Sequence, residues 1–193
     1  PMMRKFMLES FLYWVKEYHI DGFRIDLMGV HDIETMNIIS DELHKIKPDI
    51  LLYGEGWTAG ASPLPDSTRA LKKNAAKLRN IAVFSDDVRD GIKGSVFEIK
   101  DRGFASGKKG MEESVKFGIV AASNHPQVDL SKVNYSKEAY AKAPWNVITY
   151  CECHDNNTLW DKLSLSYPEA SKEDITKMHQ LSLAIVLTSQ GIP

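Results

Sequence analysis

The chain has 193 residues, 43% of them hydrophobic, and a formal charge of −2. That length can bury a sizeable core as one domain, and the near balance of charge leaves no electrostatic case for nucleic acid or an anionic membrane as partner. No apolar run approaches a membrane span of roughly 20 residues, and the start, Pro1-Met2-Met3-Arg4-Lys5, leads into an amphipathic pattern and shows no signal peptide.

Met3, Met7, Phe11, Trp14 and Tyr18 recur at spacings of four, four, three and four, which predicts a helix whose stripe, with Tyr13, Trp14 and Tyr18, belongs to the core. Gly22 breaks it. A short strand is predicted over Phe23–Leu27, and Gly29-Val30-His31 then forms a loop. Asp32 is a good N-cap for a helix with the stripe Ile33, Met36, Ile39, Leu43 and Ile46. Pro48 stops that helix, and a second strand is predicted from Ile50 to Gly54. A strand–helix–strand unit of this kind implies a right-handed parallel crossover. Residues 57–66, with Gly60, Pro63 and Pro65, read as exposed loop. A helix is predicted at roughly 67–78, then a third strand from Ile81 to Ser85.

Residues 97–110 are rich in Gly and Lys and read as loop. A helix is predicted over 111–122, and 123–144 is a long irregular excursion of the kind that is functional or mobile. Trp145–Glu152 is the fourth predicted strand, followed by a short helix over 157–163. Ser171-Lys172-Glu173-Asp174 resembles a capping box, with Asp in place of Glu or Gln. It opens a helix carrying Ile175, Met178, Leu181, Leu183 and Ile185. Gly191-Ile192-Pro193 then begins a fifth strand. Helices alternating with strands imply a parallel sheet of the α/β class. Cys151 and Cys153 fit neither a disulfide framework nor a zinc site.

Three of these strands end in a carboxylate: Asp26 after Phe23-Arg24-Ile25, Glu55 after Ile50-Leu51-Leu52-Tyr53-Gly54, and Asp155 after Tyr150-Cys151-Glu152-Cys153-His154. Arg24 and Asp26 lie two apart and so share one face of a strand, with Phe23, Ile25 and Leu27 on the other. Taken alone, the pair is explained equally well as a structural ion pair. The recurrence of the acids breaks the tie, because parallel α/β architectures work at the carboxyl ends of their strands.

The stretches Gly22-Phe23-Arg24-Ile25-Asp26-Leu27-Met28-Gly29, Tyr53-Gly54-Glu55-Gly56-Trp57 and His154-Asp155-Asn156 resemble motifs of the α-amylase superfamily of glycoside hydrolases. Their form is similar to that of its debranching branch, the type I pullulanases. Phe84–Gly94 and Leu187–Pro193 extend the likeness, in order, along essentially the whole chain. The resemblance implies a partial (β/α)8 TIM barrel, with these strands as about four to eight, and residues 1–193 as part of a single catalytic domain whose remaining strands lie elsewhere. Such a piece exposes an unpaired edge on its first strand.

The resemblance also implies chemistry. Glycosidic hydrolysis needs one ionised and one protonated carboxyl beside an oxocarbenium-like transition state. Asp26 is expected as nucleophile, kept ionised by Arg24, and Glu55 as general acid, in a less polar setting made by Trp57 and Tyr53. Neighbouring strands lie about 4.8 Å apart, which fits the roughly 5–5.5 Å carboxyl separation of a retaining enzyme. Asp155 matches the third acid. Arg24, His154, Trp57, His31 and Asn156 are the candidate substrate contacts, although Trp57 is equally explained as core and Asp32 as a simple cap. No role is assigned to Asp86, Asp87 or Arg89.

Gly29 and Val30 stand where many α-amylases carry Lys-His, which favours a debranching subsite. The superfamily's early Asn-His motif is not found in this sequence, so the chain alone is expected to lack part of the cleavage subsite. The implied substrate is a branched α-glucan cleaved at α-1,6 bonds. An isoamylase or neopullulanase-like specificity, or a noncatalytic glucan-binding piece, stand as alternatives. No cofactor and no metal ligand set is expected. Calcium dependence, oligomeric state and compartment are not legible.

Overall fold

A computed structural model describes residues 2–193. The chain divides into two compact units, one ending at Phe84 and the other spanning Ser85–Pro193.

In the first unit, helix α1 (Met2–Tyr18) leads to strand β1 (Gly22–Ile25), helix α2 (Ile33–Ile46), strand β2 (Leu51–Gly54) and strand β3 (Ala82–Phe84). The strands are parallel, with Arg24 opposite Tyr53, Ile25 opposite Gly54, and Gly54 opposite Val83. Helix α2 forms because Asp32 accepts the Thr35 N–H at 2.8 Å, closing an orphan donor of the first turn. Its stripe Met36, Ile39 and Leu43 is buried, each side chain contributing about 1.5–3 kcal/mol. Ile46, the stripe's last member, is exposed.

Three expectations are corrected in this unit. The first strand stops at Ile25, and Leu27 is left-handed (φ 42°) at the head of a 3₁₀ turn over Met28–Val30, so it does not alternate with Phe23 and Ile25. Residues 67–78 do not form an α-helix; they make two 3₁₀ turns, Asp66–Thr68 and Lys72–Lys77. Their backbone donors are taken by distant carbonyls, Ala70 by His31 and Lys72 by Gly56, while Asn74 Nδ2 donates to the Asp66 and Arg69 carbonyls. Those bonds replace the i to i−4 ladder, and β2 and β3 are joined without an intervening α-helix.

Tyr13, Trp14 and Tyr18 are exposed, not core. Helix α1 turns Val15 inward and sets Phe11 edge-on to Phe23 at 4.7 Å, whereas the other three rings pack on one another, Trp14 and Tyr18 at 4.7 Å.

The second unit contains helix α3 (Asp86–Lys93), helix α4 (Glu112–Ile119), strand β4 (Val147–Ile148), helix α5 (Leu159–Ser166) and helix α6 (Lys172–Thr188). Val88, Ile92, Val115, Leu159, Leu163, Ile175 and Val186 form its core. Thr158 and Ser171 cap α5 and α6 through their hydroxyls.

Strand β4 is far shorter than the predicted 145–152. Beyond Ile148 the backbone leaves the strand, and Thr149 ties it down, its N–H donating to the Ile192 carbonyl at 2.8 Å and its hydroxyl to that of Gln190 at 2.9 Å. The expected fifth strand is present as a parallel bridge between Ile148 and Ile192. The excursion over 123–144 is irregular apart from a 3₁₀ turn at Leu130–Lys132 and the start of another, Pro144–Asn146, at its end. It is strapped to α3: Asp87 accepts both the N–H and hydroxyl of Ser136 at 2.8 Å, and the Tyr135 hydroxyl donates to Asp90 at 2.6 Å. No helix among the described residues is long and apolar enough to cross a membrane.

Candidate functional site

The ends of β1 and β2 assemble one charged cluster. Ile25 and Gly54 are register partners, so Asp26 and Glu55 follow on adjacent strands. Arg24 sits between them. Its Nη1 donates to Asp26 Oδ1, and its Nη2 donates to Glu55 Oε1 at 2.7 Å. One guanidinium therefore holds both carboxylates on the same side of the sheet, and its planar fork suits such two-handed contact. The Arg24 guanidinium carbon lies 5.9 Å from the Phe84 ring centroid, a cation–π distance.

The two acids differ in exposure. The Asp26 side chain is 70% exposed and that of Glu55 is 6% exposed. Glu55 is stitched into the end of β1: its N–H donates to the Ile25 carbonyl at 3.1 Å, its Oε2 accepts the Leu27 N–H at 2.7 Å, and its carbonyl accepts the Gly29 N–H at 3.0 Å. The left-handed turn at Leu27 points that N–H at the carboxylate. Gly54 permits the close approach, since a Cβ there would meet the Ile25 carbonyl oxygen at 2.7 Å.

Both Glu55 oxygens accept hydrogen bonds in this arrangement. Each oxygen keeps a second lone pair, so these bonds orient the carboxyl without filling it.

Trp57 is half-buried in the loop after Glu55, 6.4 Å from the Phe84 ring, which also takes Tyr53 edge-on at 5.5 Å. His31 is half-buried, and burial holds its imidazole below the usual range against an opposing pull from Asp32. Asp32 serves as cap, and Arg4 adds a 3.2 Å contact to it.

His154, Asp155 and Asn156 lie in the second unit on an exposed loop. His154 Nε2 and Asp155 Oδ1 are 3.3 Å apart, and Asn156 is left-handed (φ 63°), a conformation asparagine tolerates better than most residues. The far end of the loop is anchored where Glu152 Oε2 accepts the Leu159 N–H at 2.6 Å. Asp87 and Arg89, which had no assigned role, are buried here together with Asp90. Arg89 donates to Asp90 at 2.6 Å and to the Tyr150 hydroxyl at 3.0 Å, so this network carries structure. Cys151 is buried, and burial pushes its thiol up to about 11.

Cys153, His154 and Asp155 place their ligand atoms within 4.8 Å of one another. Two features escaped the sequence reading. One is Phe84, which backs Arg24 and Trp57 from a strand that showed no charge. The other is the pair of buried lysines, Lys93 and Lys162, each inside an amphipathic helix where a lysine reads as solvated.

No family model matches the chain. Its full length aligns at 38% identity over 192 residues with the pullulanase of Bacillus subtilis (strain 168), covering 25% of that protein. The fold of the whole chain superimposes on a crystal structure of Paenibacillus barengoltzii pullulanase in complex with maltohexaose and α-cyclodextrin. The TM-score is 0.90 at 49% identity, over 28% of that chain. It likewise matches the type I pullulanase of Bacillus subtilis str. 168 complexed with maltose, at TM-score 0.91 and 38% identity, over 26% of that chain. The chain spans about a quarter of the length of each of these relatives. Along its whole length, the chain is a homologue of one segment of the type I pullulanases.

Proposed function

We propose that this chain supplies the acid residues of a retaining glycoside hydrolase that cleaves α-1,6 bonds in branched α-glucans. Asp26 is the nucleophile, Glu55 the general acid, and Asp155 the third acid, which hydrogen-bonds the sugar in the transition state. His154, Asn156, Trp57 and His31 contact substrate. The observation that carries this reading is the Arg24 guanidinium bonded to both Asp26 and Glu55 at the ends of adjacent parallel strands. Two carboxyls at the ends of adjacent strands and bonded to one guanidinium are in keeping with the closely spaced pair of a retaining enzyme.

The division of labour follows from environment. Asp26 is open to an incoming sugar and keeps a cation beside it, as an attacking carboxylate requires. Glu55 is enclosed, its side chain 6% exposed, the kind of setting a general acid uses. Maltohexaose, α-cyclodextrin and maltose in the pullulanase crystals support an α-glucan as ligand class. The parallel strands and the order of the motifs along the chain support placing it as about strands four to eight of a single (β/α)8 catalytic barrel.

The test is hydrolysis of pullulan by the longer protein and by this chain alone, each with Asp26→Asn as control. Release of maltotriose that falls by about 10³-fold or more in the variant is the expected result for the longer protein. Cleavage of linear amylose without cleavage of pullulan would refute the α-1,6 specificity. Full activity in Asp26→Asn would refute the nucleophile.

A further inference from the structure

Helices α3 and α5 of the second unit each bury a lysine, Lys93 and Lys162, at 1% and 2% exposure. Both line one cavity of about 270 Å³, together with Asn156, Asn157 and the apolar side chains of Val96 and Phe97. The two ammonium groups are treated differently. Lys162 Nζ donates to the Glu98 carbonyl at 2.6 Å and to that of Ile99 at 3.1 Å, so it props up the turn that closes the cavity. Lys93 has no hydrogen-bond or ion-pair partner among the described residues.

The nearby carboxylates are already engaged. Asp90 takes Arg89 and Tyr135, and Asp101 takes Lys108 at 2.5 Å and the Ser95 N–H at 2.9 Å. Lys93 is 1% exposed as a residue and lines the cavity, while its Nζ is not among the fully buried unpartnered atoms, so its donors are open to a polar or anionic occupant there. Burial already pushes Lys93 below the usual lysine range, and Arg89 adds to that push against Cys151, Cys153 and Asp90.

We propose that this cavity binds a phosphate group, free or carried by a hexose, with Lys93 as its principal contact. Lys162 contributes a second positive charge and its remaining N–H, and the Asn156 and Asn157 amides offer further neutral donors. The cavity is larger than a halide needs. Its rim carries Phe97, 84% exposed, and Ile99, 57% exposed, an apolar ledge of the kind on which a sugar ring rests. Because Asn156 and Asn157 continue the loop of His154 and Asp155, an occupant would tie that loop to α3. The proposal uses none of the three acids assigned above and shares only Asn156 with the substrate contacts proposed there.

The experiment is isothermal titration of the full chain with inorganic phosphate and, separately, with glucose 6-phosphate, on wild type and on Lys93→Met. Saturable binding of either ligand, weakened about tenfold or more in Lys93→Met, is expected for a charge-assisted contact at the centre of the site. Binding of free phosphate alone assigns the ion, and binding of the hexose phosphate alone assigns the sugar ledge a part; both support the site. Absence of saturable binding for both ligands overturns the proposal, and so does equal affinity in wild type and Lys93→Met. Should Lys93→Met not fold, Asn157→Leu at the cavity wall is expected to weaken binding about threefold or more, and an unchanged affinity would overturn the site equally.

Discussion

Two parts of this molecule carry candidate acids, one at strand ends and one on a loop well past β4, and they are built on opposite terms. At the end of β1 and β2, Asp26 and Glu55 are fixed by one guanidinium, a backbone N–H from a left-handed turn, and a glycine that lets two strands close up. In the 151–157 loop, His154 and Asp155 are exposed, and their recorded mutual contact is a 3.3 Å pair. The first arrangement is held by the fold. The second lies open to solvent. The contrast shows that the same residue type in similar sequence positions meets different energetic demands: removing a partner from Glu55 strands a buried charge, whereas removing Asp155 strands nothing.

The contrast can be broken most sharply at Arg24. Arg24→Met is expected to cost about 3 kcal/mol, the range for a buried charge left without its partner, read as a lower midpoint in urea denaturation. Adding Glu55→Gln to that variant should recover part of the loss, because the neutral amide needs no cation; a double variant as unstable as the single one would mean that Arg24 acts through packing. Gly54→Ala is next, at about 2 kcal/mol, since the new Cβ meets backbone and not a mobile side chain. For Asp155→Asn the expected change is within about 0.5 kcal/mol, although activity on glucan should fall steeply. A large stability loss there would erase the distinction between the two regions.

Two smaller effects sharpen it further. With its thiol near 11, Cys151 is only on the order of 10⁻³ thiolate at pH 8, so iodoacetamide should label the half-exposed Cys153 first and leave Cys151 to high pH. Mass mapping of the adducts checks this. His31 has a lowered folded-state affinity for its proton. Its contribution to stability is therefore complete above about pH 6.5 and is lost as pH falls through the lower folded value. His31→Gln should flatten the stability–pH curve in that acidic window, a small change readable by thermal melts at successive pH values.

Much of this was legible in the sequence, for identifiable reasons. The Asp32 cap and the Met36–Ile39–Leu43 stripe are local signals that tertiary contacts reinforce, and α2 forms as expected. The strand-end positions of Asp26 and Glu55 were visible because Gly22, Gly29, Gly54 and Gly56 punctuate two short strands, whereas the fourth strand stops at Ile148, well before Asp155. What could not be read depended on distant partners. Residues 67–78 have helical composition, yet His31 and Gly56 take their backbone donors. The stripe of α1 has helical spacing, but periodicity does not say what covers a stripe, and Tyr13, Trp14 and Tyr18 stay exposed. That Arg24 would join Glu55 as well as Asp26 required the register of β1 against β2, which no spacing within one strand encodes.

The strapping of the 123–144 excursion has a kinetic consequence. A stretch of this length without regular structure would ordinarily be the first place a protease cuts. Here Asn134, Tyr135 and Ser136 spend their polar groups on α3, Val133 is fully enclosed, and Tyr140 sets its ring against Phe117 at 5.8 Å. Cleavage inside 133–140 therefore demands that α3 let go, an opening that exposes Asp87 and Asp90 together. Limited trypsin digestion should spare Lys137 while cutting at exposed lysines elsewhere, and amide exchange at Ser136 should track the opening of α3 and not the fast fluctuation of a loop.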